Sequence, residues 1–380
     1  MDSALSLAIG AIAIAPSQPD TIYVGTGETG FCGDCFFGVG VYRIDNASTA
    51  APVISGPFND LAVTDADTFT GRGIGAIAVH PTLPGTIFVA LGSGIGGIGG
   101  VANNVIPDRG LYRSTDATSA DPSFTKMVMT GTASTNNATV DVVIDPGNPD
   151  LVVCSVADAL GNGDGGIFRA TNALAATPTF TRTFVTNPAN SNSRTELALH
   201  RSGVGVVTVY AASGTNGGTI QRSTDGGATW AQRIDNNFCT PQCFYDICIG
   251  VDPTNADNIF VGGAPAQAFI RSTDGGTTFT TNAATAVGLH VDSHAIGVSP
   301  SSPSTVYFGS DGGIYKSTNS GTNWTVLNNT QYFATQFMSL ATHPIDRYFT
   351  IGGTQDNGTN FFRPNQTWTN TEGGDGGYTQ

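Results

Sequence analysis

Short runs in which β-branched and small apolar residues alternate with polar ones recur in pairs along this chain, with a turn inside each pair. Seven pairs stand out: Ile9–Val24, Ile74–Val89, Val140–Val153, Leu197–Val209, Tyr245–Val261, Ala295–Phe308 and Phe337–Ile351. A period of two predicts strands rather than helices. Five of the turns hold a proline preceded by His, Asp or Ser: His80-Pro81, Asp145-Pro146, Asp252-Pro253, Ser299-Pro300 and His343-Pro344. Proline fixes φ and donates nothing to a strand ladder, so these prolines mark turns. A Gly-rich loop follows each pair, and then a third strand ending at a basic residue: Arg43, Arg113, Arg169, Arg222, Arg271, Lys316 or Arg363. A fourth strand closes each unit, as at Phe124–Met129 and Trp324–Leu327. Four short strands repeated seven times predict an all-β fold, a single seven-bladed β-propeller of four-stranded antiparallel blades. One domain is expected over 1–380, with blades at approximately 8–60, 72–130, 138–186, 194–236, 244–282, 292–328 and 335–377.

Composition removes several classes of function. The net charge is −14, lysine occurs only at Lys126 and Lys316, and glutamate only at Glu28, Glu196 and Glu372. So acidic a surface repels phosphate backbones, and no nucleic-acid partner is expected. No apolar run approaches the roughly 20 residues that span a bilayer, so no membrane insertion is expected. Scarce Leu, Lys and Glu argue against helical bundles, and 39% hydrophobic residues in strand-length runs argue against disorder.

After the third strand, blade 4 reads Ser223-Thr-Asp225-Gly-Gly-Ala-Thr-Trp230, blade 5 Ser272-Thr-Asp274-Gly-Gly-Thr-Thr-Phe279, and blade 6 Ser317-Thr-Asn319-Ser-Gly-Thr-Asn-Trp324. Asp and Ser side chains satisfy backbone N–H groups of a tight hairpin, Gly takes the positive-φ position, and the aromatic residue packs between blades. This octapeptide resembles the Asp-box, or BNR, repeat of sialidases, sortilin-type receptors, xyloglucanase-type glycoside hydrolases and photosystem-assembly propellers. A structural role is expected for Ser223, Asp225, Trp230, Ser272, Asp274, Phe279, Ser317, Asn319 and Trp324. A second set, His290-Val-Asp292-Ser-His294, Ser310-Asp311-Gly-Gly-Ile-Tyr315, Thr335-Gln336-Phe337, Gly353-Thr-Gln355-Asp356-Asn357-Gly358 and Gly373-Gly-Asp375-Gly-Gly377, is similar to the pattern of secreted bacterial BNR-repeat proteins.

In a propeller whose first strand lines the channel, the Pro turns and Asp-box hairpins share one face. Glu28, Asp164, Asp292, His294, Asp311, Asp356 and Asp375 fall on the other, with the long loops Thr26–Gly38 and Leu91–Gly110 as a possible cleft wall. Glu28, Asp292, His294, Asp311, Gln355, Asp356, Asn357 and Asp375 are therefore the candidate ligand-binding residues. Asp311, Asp356 and Asp375 are candidate ligands for Ca²⁺, which takes six to eight oxygens, and no other cofactor is implied. Glu28 and Asp311 are the catalytic candidates if the chain is a glycoside hydrolase. At any one position, Asp or Asn beside Gly also reads as a plain turn cap.

The six cysteines include two close pairs, Cys32–Cys35 and Cys239–Cys243, read as local disulfides, while Cys154 and Cys248 read as buried strand residues. The two pairs belong to blades on opposite sides of the ring, which sets them too far apart for a shared zinc site. Disulfides, acidity and few lysines suggest a secreted or periplasmic protein. No signal peptide is visible, so the export signal and any flanking domains of a larger multidomain chain are expected outside this sequence.

No nucleophile–base–orienter set stands out, and the function expected is a carbohydrate- or protein-binding module that uses its loop face. The alternative is a glycoside hydrolase acting on β-glucan or xyloglucan-like polysaccharide through paired carboxylates. In xyloglucanase-type enzymes an Asp occupies a segment similar to Tyr23-Val-Gly-Thr-Gly-Glu28, where this chain has only Glu28, and their cleft lies between two propellers. Sialidases need an arginine triad and a Tyr–Glu pair, and the arginines here show no such grouping. Enzymatic activity is therefore not the leading expectation.

Overall fold

A computed structural model of the chain describes residues 4–31, 35–92, 106–159, 161–186, 194–235, 237–264, 267–282, 288–328, 335–346, 348–363 and 368–378. These residues form seven sheets, each a meander of four antiparallel strands in sequence order. We number the sheets 1 to 7 along the chain. Their first strands are Ile9–Ile14, Ile74–Val79, Ala138–Ile144, Thr195–Arg201, Cys248–Asp252, Ser293–Val298 and Phe337–Thr342. The architecture is that of a β-propeller. Among the described residues no helix is long and apolar enough to cross a membrane.

Two sheets depart from the expected four strands. Asp60–Leu61 adds a parallel fifth strand to sheet 2, and Met129–Thr130 adds one to sheet 3 by pairing with Phe180–Thr181. The segment read as one fourth strand, Phe124–Met129, thus splits. Ser123–Lys126 stays in sheet 2, and the linker then runs beside the next outer strand before turning inward. The His and Asp of the proline turns have a mechanical role: His80 Nδ1 accepts N–H bonds from Thr82 and Leu83 (3.1 and 3.0 Å), and Asp252 Oδ1 accepts one from Thr254 (2.8 Å).

Sheets 1 to 6 share an apolar core that runs from one interface to the next. Phe69, Ile74 and Tyr112 join sheet 2 to sheet 1; Phe88, Val152 and Phe168 join sheets 2 and 3. Val153, Leu197 and Val209 join 3 and 4; Tyr210, Ile220 and Ile259 join 4 and 5; Phe260, Phe269 and Phe308 join 5 and 6. Near the channel the inner strands approach so closely that a Cβ on Gly10 would lie 2.3 Å from Ile74 O, and one on Gly75 2.2 Å from Val140 O. Only glycine fits there.

In sheets 1 to 5 the repeated basic residue fastens its sheet to the next. Arg43 Nη1 donates to Ala117 O and Ser119 O (2.7 and 2.8 Å), and Arg113 Nη1 to Ala173 O and Ala175 O (2.6 and 2.9 Å). Arg169 Nε reaches Gly226 O (2.8 Å), Arg222 Nη2 reaches Asp257 Oδ1 (2.7 Å), and Arg271 Nη1 reaches Ser320 O (3.1 Å). Lys316 and Arg363 instead lie over Tyr307 and Phe361 of their own sheets. Sheet 7 differs in its core as well. Among the described residues it contributes nothing to the buried apolar clusters, and Leu340 and Trp368 are 56% and 47% exposed.

The hairpins marked Ser-Thr-Asp have the hydrogen bonding their residues suggest. Asp225 Oδ1 accepts from Ser223 Oγ (2.7 Å) and from the N–H groups of Ala228 and Thr229 (3.0 and 2.9 Å), and Oδ2 accepts from Thr229 Oγ1 (2.6 Å). Asp274 repeats this with Ser272, Thr277 and Thr278. Asn319 keeps the bonds from Ser317 Oγ and Asn323 N–H (both 2.9 Å). Trp230 packs on Phe184 of sheet 3, Phe279 against the core of sheets 4 and 5, and Trp324 edge-on to Phe269 of sheet 5.

Candidate functional site

The loops opposite these hairpins converge on one acidic patch at the channel mouth. Sheet 6 supplies its centre. Asp292 ends the linker from sheet 5 with φ +63°, a conformation Asp tolerates, and His294 opens the inner strand two residues later. Asp311 sits in the next loop, where its backbone N–H donates to Asp292 O (3.3 Å). Its carboxylate accepts from His294 Nε2 (2.7 Å), which therefore carries a hydrogen, and from Tyr245 Oη (3.0 Å). Tyr245 and His294 also pack edge to face, with ring centroids 4.5 Å apart. Burial pushes the Asp311 carboxyl up, but the hydrogen bonds and the nearby imidazoles outweigh it and hold it below the usual carboxylate range.

Sheet 7 supplies Asp356, at φ +58°, whose N–H donates to Asp375 Oδ1 (3.1 Å), and Asn357, whose Nδ2 donates to Asp311 O (3.2 Å). Burial and the charges of Asp311 and Asp375 push the Asp356 carboxyl up to about 6. One oxygen each of Asp292, Asp311 and Asp356 lies within 4.8 Å of the others. The tight trio is thus Asp292, Asp311 and Asp356, while Asp375 stands behind it holding the Asp356 loop. Gln355 lies at the edge, its Oε1 accepting from Gln336 Nε2 (3.4 Å).

Glu28 reaches the patch from sheet 1. Its Oε2 accepts the Phe36 N–H (3.0 Å), and its charge contributes to the rise of the Tyr245 phenol, which burial and Asp311 chiefly drive. The loop that carries Glu28 crosses the channel mouth: Phe31 N–H donates to Phe244 O (3.3 Å). This corrects the expectation that the two cysteine-bearing loops stay apart on opposite sides of the ring. A loop of about a dozen residues spans tens of ångströms when extended, enough to bridge the channel. Cys239 and Cys243 are bonded to each other, Cys154 and Cys248 are free and buried, Cys35 is buried, and Cys32 lies outside the described residues. Most of the other loop proposed as a wall, 93–105, is also outside them. Asp164 is structural, its two oxygens accepting the N–H groups of Ala133 and Ser134.

Two residues of the patch escaped the sequence analysis. Tyr245 was assigned to the first strand of blade 5, but that strand begins at Cys248, which leaves Tyr245 and Asp246 in the loop. Asp246 is fully buried, and no N–H or O–H of the described residues donates to either oxygen. Burial, together with the charges of Asp292 and Asp311 and against the pull of Arg194, pushes its carboxyl up to about 8. Arg194 holds this segment from sheet 4, its Nη1 donating to Tyr245 O (2.9 Å) while Nη2 pairs with Glu196. Arg194, Asp292 and Gln336 stand immediately before the inner strands of sheets 4, 6 and 7, whereas Asp246 stands two residues before its own, with Ile247 between, so no fixed repeat position marks it.

No protein-family model matches the chain, and a search of curated proteins finds no match. Among solved structures it is similar to an ancestral GH74 enzyme, with TM-score 0.58 and 15% identity over 95% of this chain and 48% of that one. It is also similar to YCF48 from Cyanidioschyzon merolae, with TM-score 0.50 and 10% identity over 96% and 98% of the two chains. This chain therefore spans about half the length of the GH74 enzyme. Both are β-propeller proteins, and at these identities the likeness is one of fold.

Proposed function

We propose that the chain is an exported binding module, a single seven-bladed propeller of the Asp-box type that takes a glycan or a protein partner at its acidic channel mouth. The observation that carries this reading is convergence. Loops of sheets 1, 5, 6 and 7 bring Glu28, Tyr245, Asp246, Asp292, His294, Asp311, Asp356 and Asn357 to one patch. Carboxylates with a phenol and an imidazole offer acceptors and flat apolar edges, which suit sugar hydroxyls or the cationic side chains of a partner. The Cys239–Cys243 disulfide supports an oxidising compartment.

Glycoside hydrolysis is the second reading, favoured by carboxyls pushed apart in acidity: Asp246 up to about 8, Asp311 down. Two features weigh against it. Asp246 has no solvent exposure, and the Asp311 carboxylate is already engaged by His294 and Tyr245. The test is a panel of glycans and cationic peptides, read for binding and for reducing-sugar release. Binding without turnover, lost in Asp311→Ala/Asp356→Ala with the fold intact, is the expected result. Turnover that disappears in Glu28→Ala or Asp311→Ala would make the chain a hydrolase. Binding unchanged in the double variant would remove the site.

A further inference from the structure

The geometry points to a Ca²⁺ site formed by Asp292, Asp311 and Asp356 with Asp246 behind them, one that clasps sheet 7 onto sheets 5 and 6. The inference rests on reading the channel mouth as a ligand site and adds the identity of one occupant. Ca²⁺ binds oxygens at about 2.3–2.6 Å, so two oxygens on one ion are at most about 4.6–5.2 Å apart. The three carboxylate oxygens, within 4.8 Å of one another, meet that condition together. Proximity alone is common among exposed acids, and the independent observation is Asp246. It is fully buried, receives no N–H or O–H bond from the described residues on either oxygen, and meets only another carboxyl, that of Asp292, which can satisfy it solely by sharing a proton or a cation. A buried carboxylate with no donor requires a proton or a cation; the charge of Arg194 attracts it, but that guanidinium is committed to Tyr245 O and Glu196 and forms no ion pair with it. The donors are the carboxylate oxygens, since His294 Nε2 is engaged with Asp311 and His290 Nδ1 lies 3.1 Å from Val291 O. An all-oxygen, irregular set suits Ca²⁺ better than the strict octahedron of Mg²⁺ or the nitrogen and sulfur preference of Zn²⁺.

The four carboxylates also come from three sheets. Asp246 precedes the inner strand of sheet 5, Asp292 and Asp311 flank the first two strands of sheet 6, and Asp356 lies between strands of sheet 7. Among the described residues sheet 7 lacks the apolar interface and the arginine clamp that join sheets 1 to 6, and Asn357 Nδ2 to Asp311 O is a polar link across that junction. Without a cation, Asp356 and Asp311 repel at this seam. With one, the same two groups share it.

Calcium titration by calorimetry, on the whole chain stripped with chelator and dialysed, tests the proposal together with hydrogen exchange of 337–342, 350–354, 359–362 and 368–372. The expected result is one saturable site, weakened about tenfold or more in Asp292→Asn and in Asp356→Asn, with Asp121→Asn as a distant exposed control. Slower exchange in the sheet 7 segments on adding Ca²⁺ is expected in the parent and lost in both variants. Asn tolerates the left-handed backbone at 292 and 356, so melting in chelator at or above the parent's temperature certifies that the variants fold. Absence of saturable binding up to about 10 mM, beyond the millimolar range of weak extracellular sites, would overturn the proposal. So would equal affinity in both variants, or exchange in sheet 7 indifferent to Ca²⁺. Calcium binding with no glycan or peptide bound would sink the binding-module reading and leave the clasp standing, whereas partner binding indifferent to chelator, with no calcium heat, would do the reverse.

Discussion

Asp225 offers a quantitative test of what the Ser-Thr-Asp hairpin contributes. Burial raises its carboxyl, but the hydrogen bonds from Thr229, Ser223 and Ala228 together outweigh it and hold it at about 2, against an ordinary 3.8. At 1.36 kcal/mol per pH unit this difference is about 2.4 kcal/mol. Asp225 is exposed, so screening by water and salt reduces it to about 1 kcal/mol. Asp225→Asn keeps an Oδ1 acceptor, as Asn319 does in sheet 6, and should cost about 1 kcal/mol at pH 7. Asp225→Ala removes four accepted bonds and should cost about 2 kcal/mol, because the freed N–H groups are rehydrated. The sign with pH follows from a depressed folded-state acidity. The carboxylate's contribution is complete above its unfolded value near 4 and is lost as pH falls through about 2. Urea unfolding of parent and Asn variant between pH 7 and pH 2 measures this directly, and the gap should close across the last two pH units. A gap independent of pH, or an Ala variant no worse than Asn, would refute the reasoning.

Three other outcomes follow from the same structure. Arg113→Ala should lower stability by about 2–3 kcal/mol by stranding the turn carbonyls of sheet 3, while Arg363→Ala, whose guanidinium is exposed, should be nearly neutral; denaturant midpoints compare the two. Gly312→Ala would put a Cβ 2.2 Å from that of His290 and should cost about 1–3 kcal/mol through the displaced ring, read as a drop in melting temperature. Cys154 and Cys248 are buried, which pushes their thiols up, so a thiol reagent at pH 8 should modify both only after unfolding, as peptide mapping would show.

The repeat was legible in the sequence because every blade must alternate apolar and polar residues to bury its faces. The side of the ring that would carry Glu28, Asp292, Asp311 and Asp356 followed from connectivity alone. The missing parts have physical causes. Tyr245 and Asp246 adjoin an apolar run, and nothing local shows that the strand starts at Cys248, two residues beyond Asp246. The crossing of the channel by the Glu28 loop is a long-range choice that no periodicity encodes. Phe337, Leu340 and Trp368 carry the same strand pattern as their counterparts yet remain partly exposed, since burial depends on the neighbouring sheet and not on the pattern. The weakened acidity of Asp246 likewise arises from burial under the fold and from groups 46 and 65 positions away in the chain, Asp292 and Asp311.

The arginine clamp has a consequence for how such a chain can lengthen. Four of its five links end, wholly or through one oxygen, on main-chain carbonyls, and every residue type supplies those. A donor that reads only backbone does not care which unit comes next. Head-to-tail contacts of this kind have polarity but no fixed count, like those of an open helical assembly. Duplicating or removing one of sheets 2 to 5 would therefore leave a competent donor facing a competent acceptor at the new junction. The side-chain pair Arg222–Asp257 is the exception, making the seam between sheets 4 and 5 the one where a spliced unit must bring its own partner.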